Sequence, residues 1–182
     1  MQQLLKWTLE TIREEESSFS WMEEYRYEWA PLVKSAVDQI LEGKTVLILT
    51  DPSYAWFSKY IVSTINNLDK NRPLLPAYSL LSCFPDLSSI KSTQDIQLLE
   101  DMLDISYPAG YFIWYIGRGS HSDTKLVYRN ENSFLWIMDE EVQDSFAFRS
   151  GDPLLDIKLL QLYKLFDATL SASMFGDLDL ES

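Results

Sequence analysis

The stretch KTVLILTDPSYAWFSKYI at residues 44–61 decides the fold of this 182-residue chain. Its first seven residues are apolar and β-branched almost without a break, which is typical of a strand buried on both faces of a sheet. Asp51 and Pro52 then supply a helix N-cap and a proline suited to the first helical position. Apolar side chains recur at helical spacing from there to Ile65. A strand, a short turn and a helix are half of a βαβ unit, and they predict an α/β fold.

Helices and hydrophobic strands alternate on both sides of this unit. Pro31 is expected to kink or split the second helix, and Gly43 to end it. The polar turn at residues 117–123 predicts a hairpin in which residues 125–128 pair across it, and the tail from residue 176 is expected to fray. The other predicted elements are helices over residues 3–16, 21–42, 93–103 and 153–175 and strands over 73–81, 110–116 and 133–138. We therefore predict one α/β domain over residues 1–182, a three-layer α/β/α sandwich of Rossmann-like type with a mostly parallel sheet.

The last predicted helix, PLLDIKLLQLYKLFDATLSASMF at residues 153–175, has more apolar surface than a helix packed on one side can hide. At about 100° per residue its polar positions fall in one narrow stripe, and leucines and aromatic residues cover most of the remaining circumference. Two interpretations stay open at this point. Either the chain's own domain surrounds the helix, or a second subunit or a partner protein covers the excess.

Composition limits the possible partners and compartments. A net charge of −13 argues against direct binding to DNA, RNA or anionic lipid, but it permits a basic protein partner. Solubility alone would also account for it. No run of about 18 uninterrupted apolar residues predicts a membrane span, and the N-terminus does not resemble a signal peptide. With a single cysteine, Cys83, no internal disulfide is possible, and we expect a cytoplasmic protein.

No motif assembles an active site. The turn at residues 50–53 lacks glycine and places Asp51 where a phosphate would sit, so we interpret Asp51 as a structural N-cap. A Cys83–His121 nucleophile pair has no local support in the sequence. The acidic run at residues 139–141 is interpreted as a solvated loop rather than as a general acid and base. We therefore predict no catalytic, cofactor-binding or metal-binding residue.

Several segments together resemble one family. They are WMEEYR and WAPLV within residues 21–33, DPSYAWFSKYI at 51–61, RPLL at 72–75, SFLWIMDEE at 133–141 and LLDIKLLQLYKLFDATL at 154–170. They are similar to the HobA family, the DnaA-binding replication-initiation regulators of epsilonproteobacteria. The resemblance implies a fold related to sugar isomerase (SIS) domains and to the regulator DiaA. It also implies homotetramers that bind the N-terminal domain of DnaA and promote its assembly at the origin. The glycine- and hydroxyl-containing loop of phosphosugar-binding SIS proteins is missing here.

The leading hypothesis is therefore a non-enzymatic, oligomeric scaffold that binds DnaA without contacting nucleic acid or membrane itself. The alternatives are a phosphosugar-binding or isomerising SIS domain and an adaptor for another basic protein. On the leading hypothesis the excess apolar surface of the last helix serves mainly self-assembly. The residues predicted for the subunit contact are Leu155, Leu159, Leu162 and Phe166. The residues predicted for partner binding are Asp167, Leu170, Trp21, Glu23 and Glu24.

Overall fold

A five-stranded parallel sheet forms the centre of the computed structural model, which describes residues 1–15, 17–130 and 132–180. The strands are β1 (Thr45–Thr50), β2 (Ala77–Ser79), β3 (Tyr111–Arg118), β4 (Phe134–Met138) and β5 (Ser145–Phe148). Their order is β2-β1-β3-β4-β5, and every neighbouring pair is parallel. The register of β1 and β3 runs from Thr45 opposite Tyr111 to Thr50 opposite Ile116. The predicted parallel sheet is confirmed.

Helices cover both faces of the sheet. They are α1 (Gln2–Glu14), α2 (Met22–Leu41), α3 (Ala55–Thr64), α4 (Leu80–Cys83), α5 (Thr93–Ser106), α6 (Thr124–Val127) and α7 (Leu155–Phe175). One apolar core lies between the sheet and the group α1, α2, α3 and α7, and a second lies between the sheet and α4, α5 and α6. Alternate strand residues point to opposite faces, so Val46 belongs to the first core and Leu47 to the second. The predicted three-layer sandwich is confirmed.

Local signals at the ends of β1 and α2 act as expected. All six residues of β1 are buried. Asp51 accepts a hydrogen bond from the Ser53 backbone N–H at 2.9 Å, and thereby caps the short 3₁₀ turn Pro52–Tyr54 that leads into α3. Gly43, with φ of +88°, follows the end of α2. Helix α2 runs through Pro31 without being split.

Four local predictions are wrong. Residues 124–127 form α6 instead of a hairpin strand, because consecutive parallel strands need a crossover and cannot be joined by a tight turn. Strand β2 has only three residues, and it begins directly after Pro76, which has no N–H to donate to a ladder. Strand β5 was not predicted at all. The tail does not fray at Leu178 and Leu180, which are buried in the core. Glu16, at the end of the first predicted helix, and residues 181–182 of the tail lie outside the described residues.

Helix α7 buries most of its apolar surface inside the chain, although Ile157 and Phe175 remain exposed. One side packs on the sheet, where the rings of Phe166 and Trp114 lie 4.8 Å apart between centroids. Other sides contact α2 and α1, which itself packs on α2. The residues predicted for the subunit contact are therefore at most 6% exposed: Leu155, Leu159, Leu162 and Phe166. Because the chain itself covers these side chains, a subunit contact is not assigned to them.

Candidate partner-binding surface

The crevice where such a fold usually binds ligands is filled by the protein itself. Sheets of this strand order bind ligands at the carboxyl ends of β1 and β3, where the direction of the strand order changes. Asp51, at the end of β1, is buried, and a Cβ built on Gly117 in β3 would lie 2.5 Å from the Asp51 Cβ. A Cβ on Gly119 would lie 2.6 Å from a carboxylate oxygen of Glu140. This close packing around two carboxylates leaves no cradle for a phosphate.

Tyr115 and His121, the titratable groups near this crevice, interact with neighbouring groups of the protein itself. The Tyr115 hydroxyl donates a hydrogen bond to the Arg118 carbonyl at 2.9 Å. Burial, followed by the nearby charge of Asp51, raises the pKa of Tyr115, so the hydroxyl remains a donor at neutral pH. His121 lies 3.6 Å from Asp123 on its own loop. Across the described ranges no group of three His, Cys, Asp or Glu side chains is arranged to hold a metal ion.

An open cleft of about 860 Å³ lies at the β5 end of the sheet. The start of α2 forms one wall, β5 forms another, and the segments that follow β4 and β5 close the end. Trp21 and Tyr25 supply aromatic surface, and their rings make edge-to-face contacts with Phe146 at 6.4 Å and 6.0 Å between centroids. Five carboxylates surround these rings: Glu28, Asp139, Glu140, Glu141 and Asp152. Aromatic and acidic groups together suit a basic protein partner.

Three of the residues predicted for partner binding lie together at the start of α2. The Trp21 indole N–H donates to Gln161 at 2.9 Å, and the Lys158 ammonium lies 5.1 Å from the centroid of its ring. Glu23 forms an ion pair with Arg13 at 3.0 Å, and the hydrogen bond from that guanidinium lowers the pKa of Glu23. Glu24 is exposed. Trp21 lines the cleft directly, with the two glutamates on the following turn.

The other two residues predicted for partner binding, Leu170 and Asp167, make contacts within the fold. The Leu170 side chain is fully buried, so the expected partner-accessible leucine is corrected. Asp167 accepts a hydrogen bond from the Arg72 guanidinium at 2.5 Å, and its second oxygen lies 2.8 Å from the Lys70 ammonium. Arg72 is itself buried and also donates to the Ile65 carbonyl at 2.7 Å. Asp167 therefore ties α7 to the segment that follows α3.

The sequence did not single out Tyr25, Glu28 or Phe146 as site residues. Tyr25 and Glu28 stand four and seven positions after Trp21, which places all three on one face of a helix. This spacing was the available signal. Phe146 belongs to β5, and its part in the cleft could not be expected without that strand.

Exposed apolar side chains also form a row on α5. Leu98, Met102 and Ile105 stand at helical spacing and are 56%, 53% and 82% exposed. The opposite side of this helix is buried through Ile96 and Leu99. An exposed row at this spacing differs from the scattered apolar residues that are normal on a protein surface.

No helix within the described residues is long and apolar enough to cross a membrane.

Comparison with known proteins gives one consistent family. The family model described as "HobA: DNA replication regulator" matches residues 1–180. The DNA replication regulator protein HobA of Helicobacter pylori is 30% identical over 186 residues, which cover 99% of this chain and 100% of that protein.

Two solved structures agree with that match. The chain superposes on HobA in a HobA–DnaA (domain I–II) complex from Helicobacter pylori with a TM-score of 0.73 and 28% identity, over 96% of this chain and 97% of that one. A structure of HobA from Helicobacter pylori gives a TM-score of 0.70 and 27% identity over the same shares. Because the family model and the relative both match this chain from end to end, the chain belongs to the HobA family of DNA replication regulators.

Proposed function

We propose that this protein binds the N-terminal domain of the initiator DnaA and promotes the assembly of DnaA at the replication origin. The observation that carries the proposal is the likeness, over 96% of the chain, to HobA in a HobA–DnaA (domain I–II) complex. A homotetramer with one DnaA site on each subunit would hold several DnaA molecules together. This arrangement raises their effective concentration for cooperative loading on origin DNA.

Charge and the closed crevice support a scaffold rather than an enzyme. A net charge of −13 repels nucleic acid phosphates, so contact with DNA is left to DnaA. Asp51 and Glu140 occupy the place where a phosphosugar would bind, so a phosphosugar-binding SIS domain is not favoured. The proposed site of action is the cytoplasm, and the proposed role is non-enzymatic.

The proposed DnaA-binding surface is the start of α2, with Trp21, Glu23 and Glu24. These residues combine a large aromatic ring with exposed negative charge, and both favour recognition of a basic surface. Replacing Glu24 by lysine should weaken DnaA binding without unfolding the protein, since the side chain is exposed. Glu10→Lys, on the exposed side of α1, makes the same change in charge and serves as the control.

The proposed subunit contact is the row Leu98, Met102 and Ile105 on α5. A second copy of the chain would cover this exposed apolar row, in place of the buried side chains of α7. Met102→Lys should lower the mass of the oligomer in light scattering, because a charge would then enter an apolar contact. Lys59→Met makes the reverse exchange at a position outside the row, and it should leave the mass unchanged. An unchanged mass in Met102→Lys would remove this row from the interface.

The central experiment mixes the full chain with the DnaA N-terminal domain of its own organism. Size-exclusion chromatography with light scattering should give the mass of a tetramer that carries several DnaA domains. The absence of any complex would overturn the proposed function. A rise in melting temperature with phosphosugars, measured in parallel, would instead support the SIS alternative.

A further inference from the structure

The cleft follows the open edge of the sheet. Strand β5 is the last strand in the order, so only one of its sides pairs with another strand. All residues from Ser145 to Arg149 line the cleft. Since successive residues of a strand point to opposite faces, a cleft that contacts each of them must run along the strand's unpaired edge.

The backbone of Ala147 is directed toward this cleft. The Asp139 N–H donates a hydrogen bond to the Phe148 carbonyl at 2.8 Å, so Phe148 uses its backbone groups toward β4. In a parallel ladder, alternate residues of a strand bond to opposite sides. The N–H and C=O of Ala147 therefore face away from β4. Natural edge strands are usually protected by proline or by charged side chains, and β5 has neither within its sequence SFAF.

Negative charge predominates around this edge, where the carboxylates outnumber the two cations Arg149 and Lys158. Asp139 accepts hydrogen bonds from the backbone and hydroxyl of Ser150 at 2.7 and 2.5 Å, and Asp152 pairs with Lys158 at 2.5 Å. The remaining carboxylates of the cleft have no ion-pair partner within the described part of the chain: Glu28, Glu140 and Glu141. The Lys158 ammonium above the Trp21 ring shows that a cation is already held between an aromatic ring and a carboxylate here.

We propose that this cleft binds an extended peptide segment that carries lysine or arginine, and that the segment adds to the sheet as a sixth strand beside β5. The backbone of Ala147 would supply main-chain hydrogen bonds, which give affinity in strand addition. Alternate side chains of the segment would meet the carboxylates, and the others would pack on Trp21 and Tyr25. This inference does not depend on DnaA, since an extended segment of any partner with this chemistry would fit.

The probe is a fluorescent peptide of about eight residues that alternates valine and lysine, long enough to match β5. Its anisotropy is measured with the full chain in the absence of DnaA. A peptide with glutamate in place of lysine should not bind. The lysine peptide with alternate backbone amides N-methylated should bind at least about tenfold more weakly in one of its two registers, because it cannot form the strand hydrogen bonds. Strand addition would be overturned if the methylated peptides of both registers bound as tightly as the unmethylated lysine peptide.

Variants of Ala147 test the contribution of the backbone hydrogen bonds from the protein side. Ala147→Pro removes an outward N–H without removing a bond to β4, and it should weaken binding about tenfold. Ala147→Val keeps the N–H and should bind as the unaltered protein does. If the proline variant fails to fold, the methylated peptides still decide the question.

Charge is tested by neutralising three carboxylates at once. The variant Glu28→Gln/Glu140→Gln/Glu141→Gln should weaken binding of the lysine peptide about tenfold or more. The control Glu10→Gln/Asp101→Asn/Asp104→Asn has the same net charge and should bind normally. Equal weakening in both would mean that overall charge, rather than the cleft, attracts the peptide, and would overturn the proposal.

Discussion

Replacing Asp167 by asparagine should destabilise the fold rather than remove a binding contact. Its carboxylate joins α7 to the Arg72 guanidinium at 2.5 Å and to the Lys70 ammonium at 2.8 Å. The Arg72 side chain is only 2% exposed, whereas that of Asp167 is 19% exposed. After the substitution a buried guanidinium has lost its counter-charge but keeps its bonds to the Ile65 carbonyl and the Ser171 hydroxyl.

The expected cost follows from that geometry. Removing one partner of a fully buried ion pair costs about 3–5 kcal/mol. The retained acceptors and the partial exposure of Asp167 place this case near the lower limit, at about 3 kcal/mol. For a domain of this size, that corresponds to a fall in melting temperature of about 6–12 °C. Urea unfolding followed by circular dichroism measures the change, and a constant m-value shows that the unfolding reaction is the same.

Two further variants separate the ion pair from its surroundings. Asp101→Asn changes the same functional group on the exposed side of α5 and should cost less than about 0.5 kcal/mol. The double variant Asp167→Asn/Arg72→Met should be less destabilised than the sum of its single variants, with a coupling of about 1 kcal/mol or more. If Asp167→Asn kept full stability and lost DnaA binding, a stabilising role for the Asp167 ion pairs would be refuted. A role in partner binding would then be supported.

Three further predictions concern the core, the closed crevice and the loop after β5. Leu170→Ala should cost about 2–5 kcal/mol in urea unfolding because it opens a cavity, while the folded variant keeps its affinity for the DnaA N-terminal domain; weakened binding at full stability would contradict its burial. Gly117→Ala should lower the melting temperature, since its Cβ would lie 2.5 Å from that of Asp51, whereas Gly151→Ala, with no atom within 4 Å, should not. Hydrogen bonds from Ser150 lower the pKa of Asp139, so their stabilising effect is present at neutral pH and is lost as the pH falls through that pKa. Ser150→Ala should raise the pKa toward its ordinary value in an NMR titration, and an unchanged pKa would assign the shift to another group.

The sequence predicted those parts of the fold that local chemistry determines. Strand β1 is a continuous apolar run, and Asp51 and Gly43 act through their own backbone neighbours. Strand β5 was missed because four residues, two of them phenylalanine, give little periodicity to detect after an acidic loop. The tail was predicted to fray because chain termini are usually poorly ordered, and only tertiary contacts bury Leu178 and Leu180.

The candidate site could be predicted only in part for the same reason. Trp21, Glu23 and Glu24 are close in sequence, so their proximity at the start of α2 follows from one helical turn. A subunit contact was predicted on α7 because its apolar circumference is compatible both with a second subunit and with a long-range partner in the same chain. Helices α2 and α1, both more than a hundred residues earlier in the sequence, are those partners. Periodicity describes how much surface a helix must bury, but it contains no information about which element covers it.

The closed crevice and the open sheet edge together explain why a fold typical of small-ligand binding suits a protein partner here. At the ends of β1 and β3, Asp51 is packed against Gly117, and this contact excludes the glycine-lined approach that a phosphate requires. An accessible cleft lies beside β5, where aromatic rings and carboxylates without an ion-pair partner lie next to the strand. Its charge is mainly negative, which disfavours a small anion but suits the basic side chains of a polypeptide. The proposed binding surfaces therefore lie at the edge of the sheet and on α2 rather than at the ends of its central strands.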